Sequence, residues 1–476
     1  MYRCLPLVVA GTLMACASAP ESPPPRTRTK APTPTTTAPP ATPTPLAAPP
    51  APAPEVPPPS GPSLVLTHGT RRIFAAPAWS SDVVGVTRAG QRLPLRRTEA
   101  VSGQPCAGGW FAVAPRGFLC APENGVIHAP EDPRIEAIAA ALPRDADYPL
   151  GYGTAAGAAR YRRFPDEGEL RPHERGETSS SSAPAPGPVA PWLASRGGPL
   201  RDATSAYPGM KLGWSRRYHH EGRDWLLTPE QLLVPASRVK AAKPLPSKRF
   251  DAPDLPFAVT LAEVKPWVEE KGRVRQLDTV LSAGTVIHLK APATGQWRDG
   301  RGMWATRDGR WLSRAGIALF RKRSPPQAHE AGQKWVHVSV HGGSLVAYED
   351  ETPVFAALIS PGLGGTTKDH DHRTPPGVYR VGAKWLTSDM SGPLGDTGHS
   401  WRTREVPWVA YYDGSYAMHG AWWHDAFGRP RSHGCINLTP PDARHLFRWL
   451  DPPLPEGWYA VRGDDDNPGT LLWVTP

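Results

Sequence analysis

The sequence predicts a mainly β protein with one well-marked helix near its C-terminus, set behind a proline-rich front segment. Three observations carry that reading. From Ser63 onward, short apolar runs alternate with polar residues and are broken by glycine turns, the pattern of half-buried strands. A 3.6-residue apolar spacing with clear start and stop signals follows Thr439. Of the 60 prolines in the 476 residues, 18 fall within residues 17–62, where no apolar pattern accompanies them.

Residues 1–16 read as an export signal, with Arg3 as the positive region and Leu5 to Met14 as the apolar core. The run is shorter than the roughly 20 apolar residues that span a bilayer. Leu13-Met14-Ala15-Cys16 resembles a bacterial lipobox, which implies that Cys16 receives lipid and that acyl chains hold the mature protein at a membrane. The expected location is the cell envelope on the periplasmic side of a Gram-negative cell. Ala17, in place of an aspartate, favours the outer over the inner membrane. Residues 17–62 interleave proline with Ala and Thr, cannot bury a core and favour polyproline II, so a disordered tether is expected. It could extend on the order of 100 Å at about 3.1 Å per residue.

Between Ser63 and residue 127, candidate strands run through Val65, Phe74, Val83–Val86, Arg92–Arg96, Trp110–Ala114 and Phe118–Cys120. A similar Trp-bearing strand, glycine turn and second strand recur at Met303–Ala305 and Trp311-Leu312. Both stretches resemble bacterial SH3-type barrels, placing SH3-like β modules at 63–127 and 255–325. Residues 128–254 form an irregular β region with a flexible Ser/Pro/Gly-rich loop near 174–191. Asp224–Thr228 is a candidate strand, and Thr228–Gln231 a candidate helix start.

Residues 335–476 are the most regular part. Trp335–Val340 alternates, turns at Gly342-Gly343 and returns through Ser344–Tyr348. Further strands are expected at Pro353–Ser360, Val378–Val381, Trp408–Tyr412 and Tyr416–His419. Thr439 can cap the helix, Pro440 fits its first position and Asp442 its first turn. Ala443, Leu446, Phe447 and Leu450 then share one apolar face, and Pro452-Pro453 ends it.

The cysteines divide by chemistry. Of five, Cys4 lies in the signal and Cys16 is the lipid acceptor. Cys106 and Cys120 flank Trp110 in a compartment where disulfides persist, and a bridge there contributes about 3 kcal/mol in the loop-entropy model. Cys435 is left over, and an odd thiol in an exported protein signals reactivity. It sits in Ser432-His433-Gly434-Cys435-Ile436-Asn437, with His419-Gly420 upstream. A thiolate is the nucleophile, so a reactive cysteine needs a base beside it.

Together with Thr374-Pro375-Pro376-Gly377-Val378-Tyr379, these two motifs resemble the L,D-transpeptidase (YkuD-type) family over residues 335–476. The resemblance implies a β-sandwich-like catalytic domain with a helix behind the nucleophile. It assigns Cys435 as nucleophile, His419 as its base, the Gly420 carbonyl as the group that orients His419, and His433 as a site wall. Backbone N–H groups near Gly434 and Cys435 would form the oxyanion hole. Ser432, Asn437 and Trp422 are candidate substrate contacts; some members carry arginine where this chain has Asn437.

The implied reaction takes a tetrapeptide stem, releases D-alanine, leaves a thioester on Cys435 and forms a 3→3 cross-link with a second stem. It needs no cofactor and no metal. Water as acceptor gives an L,D-carboxypeptidase, and a protein acceptor gives attachment to the wall. A zinc peptidase built from His370, His372, His419, His424 and His433 is a weaker reading, because no HExxH or paired CxxC spacing is present. A non-catalytic wall-binding lipoprotein is the remaining one. Expected partners are peptidoglycan stem peptides and, through the lipid, a membrane. The net charge of +10 comes without the basic helix or aromatic–basic strand pattern of a nucleic-acid binder, and no obligate protein partner is expected.

Overall fold

The computed structural model describes residues 61–123, 125–128, 131–170, 200–202, 204–365, 371–394 and 400–476. The export signal, Cys16, the proline-rich segment up to residue 60, the 174–191 loop and His370 lie outside the described residues. No helix among the described residues is long and apolar enough to cross a membrane. Strand dominates, and the α-helices among these residues are Arg134–Ala139, Glu167–Leu170 and Pro440–Trp449.

Two sheets enclose the main core. In the first, Lys334–Ser339 and Ser344–Glu349 form the expected hairpin, with Gly343 at φ +67° in its turn. Thr352–Leu358 extends it on one side, and Leu471–Thr475 runs parallel to Lys334–Ser339 on the other. Gly377–Arg380 closes one edge. Arg249–Asp251, from upstream of the expected catalytic segment, closes the other by pairing with Thr352–Leu358. In the second sheet, Ala383–Leu394 pairs with Ser400–Asp413, a strand far longer than the expected Trp408–Tyr412. Tyr416–Gly420 follows it antiparallel, and Ile436–Leu438 lies parallel to Tyr416–Gly420. Val336, Val338 and Leu345 from one sheet meet Trp408, Met418, Ile436 and Leu438 from the other.

The helix Pro440–Trp449 packs into this core through Ala443, Leu446 and Phe447, with Leu450 just beyond its end. Thr439 Oγ1 caps its start by accepting from the Asp442 N–H at 3.3 Å. Lys384, 1% exposed, reaches the other end and donates from Nζ to the carbonyls of Leu450 and Pro452. The carbonyls left unpaired at a helix C-terminus favour a cation there. Burial nevertheless pushes the Lys384 ammonium down to about 7.

The second sheet does not stop at this domain. Ala460–Arg462 pairs with Ala383–Leu394 on one side and with Val83–Arg88 on the other. On the far edge, Lys211–Trp214 meets Ser400–Asp413 at Lys211 and Thr403, with Gly151–Ala155 and Val239–Ala241 beyond. Segments expected to be separate modules are thus strands of one sheet. The physical reason is an incomplete core. Leu64, Ile73, Leu93 and Leu119 are sealed by Trp458 and Val461 from the C-terminal part. Gly85 lacks a side chain where a Cβ would lie 2.2 Å from the Trp458 ring. The 255–325 segment instead has its own two small antiparallel sheets around Ile287, Leu289, Leu312, Ile317 and Leu319.

Residues 228–231 do not start a helix. Arg223–Leu227 is the expected strand, but Gln231 turns at φ +63°, and the Thr228 N–H donates to the Leu232 carbonyl, reversing the chain into Leu233–Pro235.

A buried polar network crosses the shared sheet. Arg88, from the strand Val83–Arg88, bonds Glu405 at 3.1 Å and the Tyr459 hydroxyl at 2.7 Å, while the Thr387 hydroxyl also reaches the Glu405 carboxylate. Glu405 is 5% exposed, and burial raises its pKa against the opposing pull of Arg88. Removing one partner of such a pair leaves an uncompensated buried charge. Arg88→Ala should therefore destabilise the fold by about 3–5 kcal/mol, whereas Arg88→Met combined with Glu405→Gln should cost much less. Chemical denaturation of the three proteins checks this, and equal losses in both variants would refute it.

Candidate active site

The parallel pairing of Tyr416–Gly420 with Ile436–Leu438 builds the site. Its register sets Met418 opposite Ile436 and His419 opposite Asn437. Side chains alternate faces along a strand, so Met418, Ile436 and Leu438 turn into the core beside the helix. Ala417, His419 and Asn437 turn to the other face. Cys435 continues the register next to Ala417, and it packs with Ala417, Tyr411 and Trp423. The thiol and the imidazole therefore share one sheet face, two residues apart along the ladder. Cys435 is a free, partly exposed cysteine, whereas Cys106 and Cys120 are disulfide-bonded, with 5.9 Å between their Cα atoms.

The turn before Cys435 is fixed by sterics and hydrogen bonds. Gly434 has φ +114°, where side chains are strained, and a Cβ there would lie 2.3 Å from the Tyr416 ring. Thr374 Oγ1, from the Thr-Pro-Pro-Gly turn, donates to the Gly434 carbonyl at 2.9 Å and accepts from the Gly362 N–H at 2.9 Å. The Ser432 hydroxyl donates to the Cys435 carbonyl and accepts from the Gly434 N–H. Two expectations change here. Ser432, 7% exposed, braces the turn instead of facing a substrate. The Gly434 N–H is bonded to Ser432 and is not open to an oxyanion.

His419 is 3% exposed, and its Nδ1 lies 3.3 Å from the Gly420 carbonyl. A carbonyl only accepts, so the hydrogen is on Nδ1 and Nε2 holds the free lone pair. Burial lowers the His419 pKa to about 4, against a smaller upward pull from the Gly420 bond. Burial likewise pushes the Cys435 thiol up to about 11, opposed by a backbone hydrogen bond from Ala417. Both shifts favour the neutral forms, so the resting site holds a thiol, donating to the Ser415 carbonyl at 3.7 Å, and a neutral base on the same sheet face.

Asn437, 2% exposed, is held by His424. The Ala426 N–H donates to His424 Nδ1 at 3.2 Å, and the Asn437 amide meets His424 Nε2 at 2.9 Å. His424 is neutral, since burial lowers its pKa to about 4. With Nδ1 accepting, Nε2 carries the single ring hydrogen and must meet the amide oxygen. The structure sets Asn437 Nδ2 toward His424 and leaves Oδ1 without a protein partner; exchanging the two amide atoms satisfies His424 and turns the NH2 to that unpartnered position. It is a buried donor on the face that carries the thiol and the imidazole.

The mouth is aromatic and basic. His433 is exposed, with its ring stacked on Trp401 at 5.2 Å and 4.7 Å from His372. Burial first, then His372 and Lys211, lower its pKa. Trp401 lies across Gly392, where a Cβ would come within 2.2 Å of the indole. Lys211 reaches the site from the middle segment through its pairing with Thr403. Neither Trp401 nor Lys211 was expected from the sequence, because the long hairpin and the 128–254 region carry no motif. Trp422 is not a substrate contact in this arrangement: it is 4% exposed and stacked on Tyr152 at 5.3 Å. Its neighbour Trp423 lies 5.8 Å from the His419 ring. Among the described residues no three His, Cys, Asp or Glu side chains converge as a metal-binding set.

The alkylation of Cys435 by iodoacetamide reads its ionisation. With the thiol pushed up to about 11 and His419 neutral above about 4, the rate should keep rising from pH 6 to pH 10. A plateau that begins below pH 7 would mean a standing thiolate–imidazolium pair and contradict this resting state.

No curated protein matches the chain. Among solved structures, it is similar to an L,D-transpeptidase (Yku) from Stackebrandtia nassauensis, at 18% identity and TM-score 0.21, over 32% of this chain and 58% of that one. It is similar to the L,D-transpeptidase (residues 123–326) from Xylanimonas cellulosilytica, at 24% identity and TM-score 0.21, over 32% and 64%. The catalytic domain of the E. faecium L,D-transpeptidase is matched at 21% identity and TM-score 0.23, over 30% of this chain and 98% of that domain. The chain thus spans under two thirds of the first two proteins. Residues 333–471, which hold Cys435, His419 and Asn437, match the family model YkuD, the L,D-transpeptidase catalytic domain.

Proposed function

We propose that the protein is a peptidoglycan L,D-transpeptidase that forms 3→3 cross-links through a thioester on Cys435. The observation that carries this is a free, reachable thiol on the same sheet face as an imidazole whose Nε2 lone pair is free, within a segment that matches the L,D-transpeptidase catalytic domain.

The neutral pair dictates the order of events. A thiol of pKa about 11 is ionised about once in ten thousand molecules at pH 7. Attack therefore couples proton transfer from Sγ to His419 Nε2 with formation of the S–C bond to the stem carbonyl. As negative charge develops on that oxygen, the Asn437 NH2 is a preorganised donor on the correct face. Collapse breaks the C–N bond, His419 returns the proton to the departing D-alanine amine, and the acyl group stays on sulfur. An amine of a second stem then attacks the thioester, His419 takes its proton, and Cys435 leaves as thiol. The Gly420 carbonyl stabilises the imidazolium formed in each half, as an orienting carboxylate does in other triads. His433, Trp401 and Lys211 line the approach for the stems.

The same site serves an L,D-carboxypeptidase if water is the acceptor, or wall attachment if a protein amine is. We further place the protein in the periplasm, lipid-anchored through Cys16, on the sequence reading of residues 1–16 alone.

Incubation with disaccharide tetrapeptides, followed by mass spectrometry, separates these outcomes. Cross-linking gives loss of D-alanine together with dimers, and hydrolysis gives the loss alone. Cys435→Ala should abolish both. His419→Gln should lower turnover by about 10²–10⁴-fold, and Asn437→Ala by about 10²–10³-fold. Activity retained in Cys435→Ala, or lost on chelation in place of alkylation, would overturn the proposal.

A further inference from the structure

A groove lies far along the chain from Cys435, on the N-terminal segment. It encloses about 590 Å³ and is lined by Arg71, Arg72, Phe74, Trp79, Pro105 and the Cys106–Cys120 bridge, among others. That volume is the size of a ligand site and not of a packing defect.

Trp79 is unusual in being exposed and yet held. It is 53% exposed, but its indole N–H donates to the Pro105 carbonyl at 3.0 Å and its backbone N–H to Gln104 Oε1 at 2.7 Å. Its ring meets the Phe74 ring edge-on at 5.6 Å and tilts against Trp110 at 5.1 Å. Trp110 is itself anchored to the Gln104 carbonyl at 2.7 Å, and the disulfide pins the loop that carries Pro105. A large apolar face is therefore presented to solvent in one orientation, with its ordering cost already met by the fold. Nothing in the folding of the segment requires that exposure, since its core of Leu64, Ile73, Leu93 and Leu119 is closed by Trp458 and Val461 on another side.

The charge is one-sided. Arg71 and Arg72 line the groove, no acidic side chain does, and among the described residues neither guanidinium has a carboxylate partner within 4.0 Å. Arginine forks match carboxylates in geometry, and an immobile Trp face suits a flat, C–H-bearing ring. Trp and Arg are also the residues that most often dominate binding at such positions.

We infer that this groove is a second binding site, which takes a carboxylate-bearing sugar–peptide segment of the polymer whose stems the catalytic site processes; the identity of the polymer rests on the proposed function. A ring of the segment stacks on Trp79, and a carboxylate pairs with Arg72, which shares the strand face of Phe74. The site holds the enzyme on an insoluble substrate while Cys435 works on individual stems.

Co-sedimentation of the full-length chain with purified peptidoglycan sacculi tests this, with Cys435→Ala as background so that no covalent adduct contributes. Trp79→Ala should weaken binding at least tenfold, and so should Arg71→Gln with Arg72→Gln. The arginine pair keeps the test valid if Trp79→Ala does not fold, because Arg72 is exposed and Arg71 donates, among the described residues, only to the carbonyl of its neighbour Thr70. In the chain with Cys435 intact, all three changes should leave turnover of soluble disaccharide tetrapeptides unaltered. Competition by soluble glycan strands, or by free stem peptides, supports the site and shows which part supplies the carboxylate. Unchanged sedimentation of the arginine variant, or no effect of either competitor, overturns it. So does displacement of sacculi by a neutral proline-rich peptide and by nothing acidic. Loss of soluble turnover with groove-dependent sedimentation intact would instead count against the catalytic reading alone.

Discussion

The site depends on one constraint: the parallel register that sets His419 opposite Asn437 and carries Cys435 onto the same face. A slip of one residue would turn the thiol into the core beside the helix and expose Ile436 in its place. Gly434 fixes that register, since no other residue accepts φ +114° with the Tyr416 ring against its α-carbon. Thr374, Ser432 and the Ser360–Asn437 backbone pair lock the turn from three directions. The helix Pro440–Trp449 then presses Met418, Ile436 and Leu438 into the core, so the reactive face is held by packing on its reverse.

Burial is the second determinant. It drives thiol and imidazole toward their neutral forms by the same mechanism, the cost of charge in a poorly hydrated site. In the proposed mechanism the thiol is consequently inert until a carbonyl arrives to draw the proton transfer along. A thiol with that property resists adventitious oxidation, because oxidation and alkylation both follow thiolate character. The Gly420 carbonyl supplies the tautomer without adding a charge that would raise the His419 pKa further.

Much of this was legible in the sequence, for reasons that can be named. The hairpin around Gly342-Gly343 and the helix after Thr439 announce themselves by alternation, by a cap and by a one-faced apolar spacing. Cys435 announces itself by its glycine neighbour and by being left over from the disulfide count, and His419 by the His-Gly pair upstream. What failed to show was non-local. The strand Arg249–Asp251 and the pairing of Val83–Arg88 with Ala460–Arg462 depend on partners more than a hundred residues away, and no local pattern encodes them. Trp422 and Trp423 look alike in sequence, yet only the fold sends one to stack on Tyr152 and the other toward His419. Ser432 reads as a polar residue beside a nucleophile, and its use as a brace follows from the Gly434 turn. The helix Arg134–Ala139 was missed because it is barely two turns long, too short for its spacing to stand out. The contribution of the middle segment, Lys211 at the mouth of the site, was not legible because it arrives by strand pairing and carries no motif.

The most direct test of this account is the ¹⁵N–¹H correlation of the His419 ring in ligand-free protein carrying labelled histidine, assigned by comparison with His419→Gln. The account predicts a neutral imidazole from pH 5 to pH 9, protonated on Nδ1 toward Gly420 and bare on Nε2. An imidazolium signal at neutral pH that disappears in Cys435→Ala, or a hydrogen found on Nε2, would contradict it.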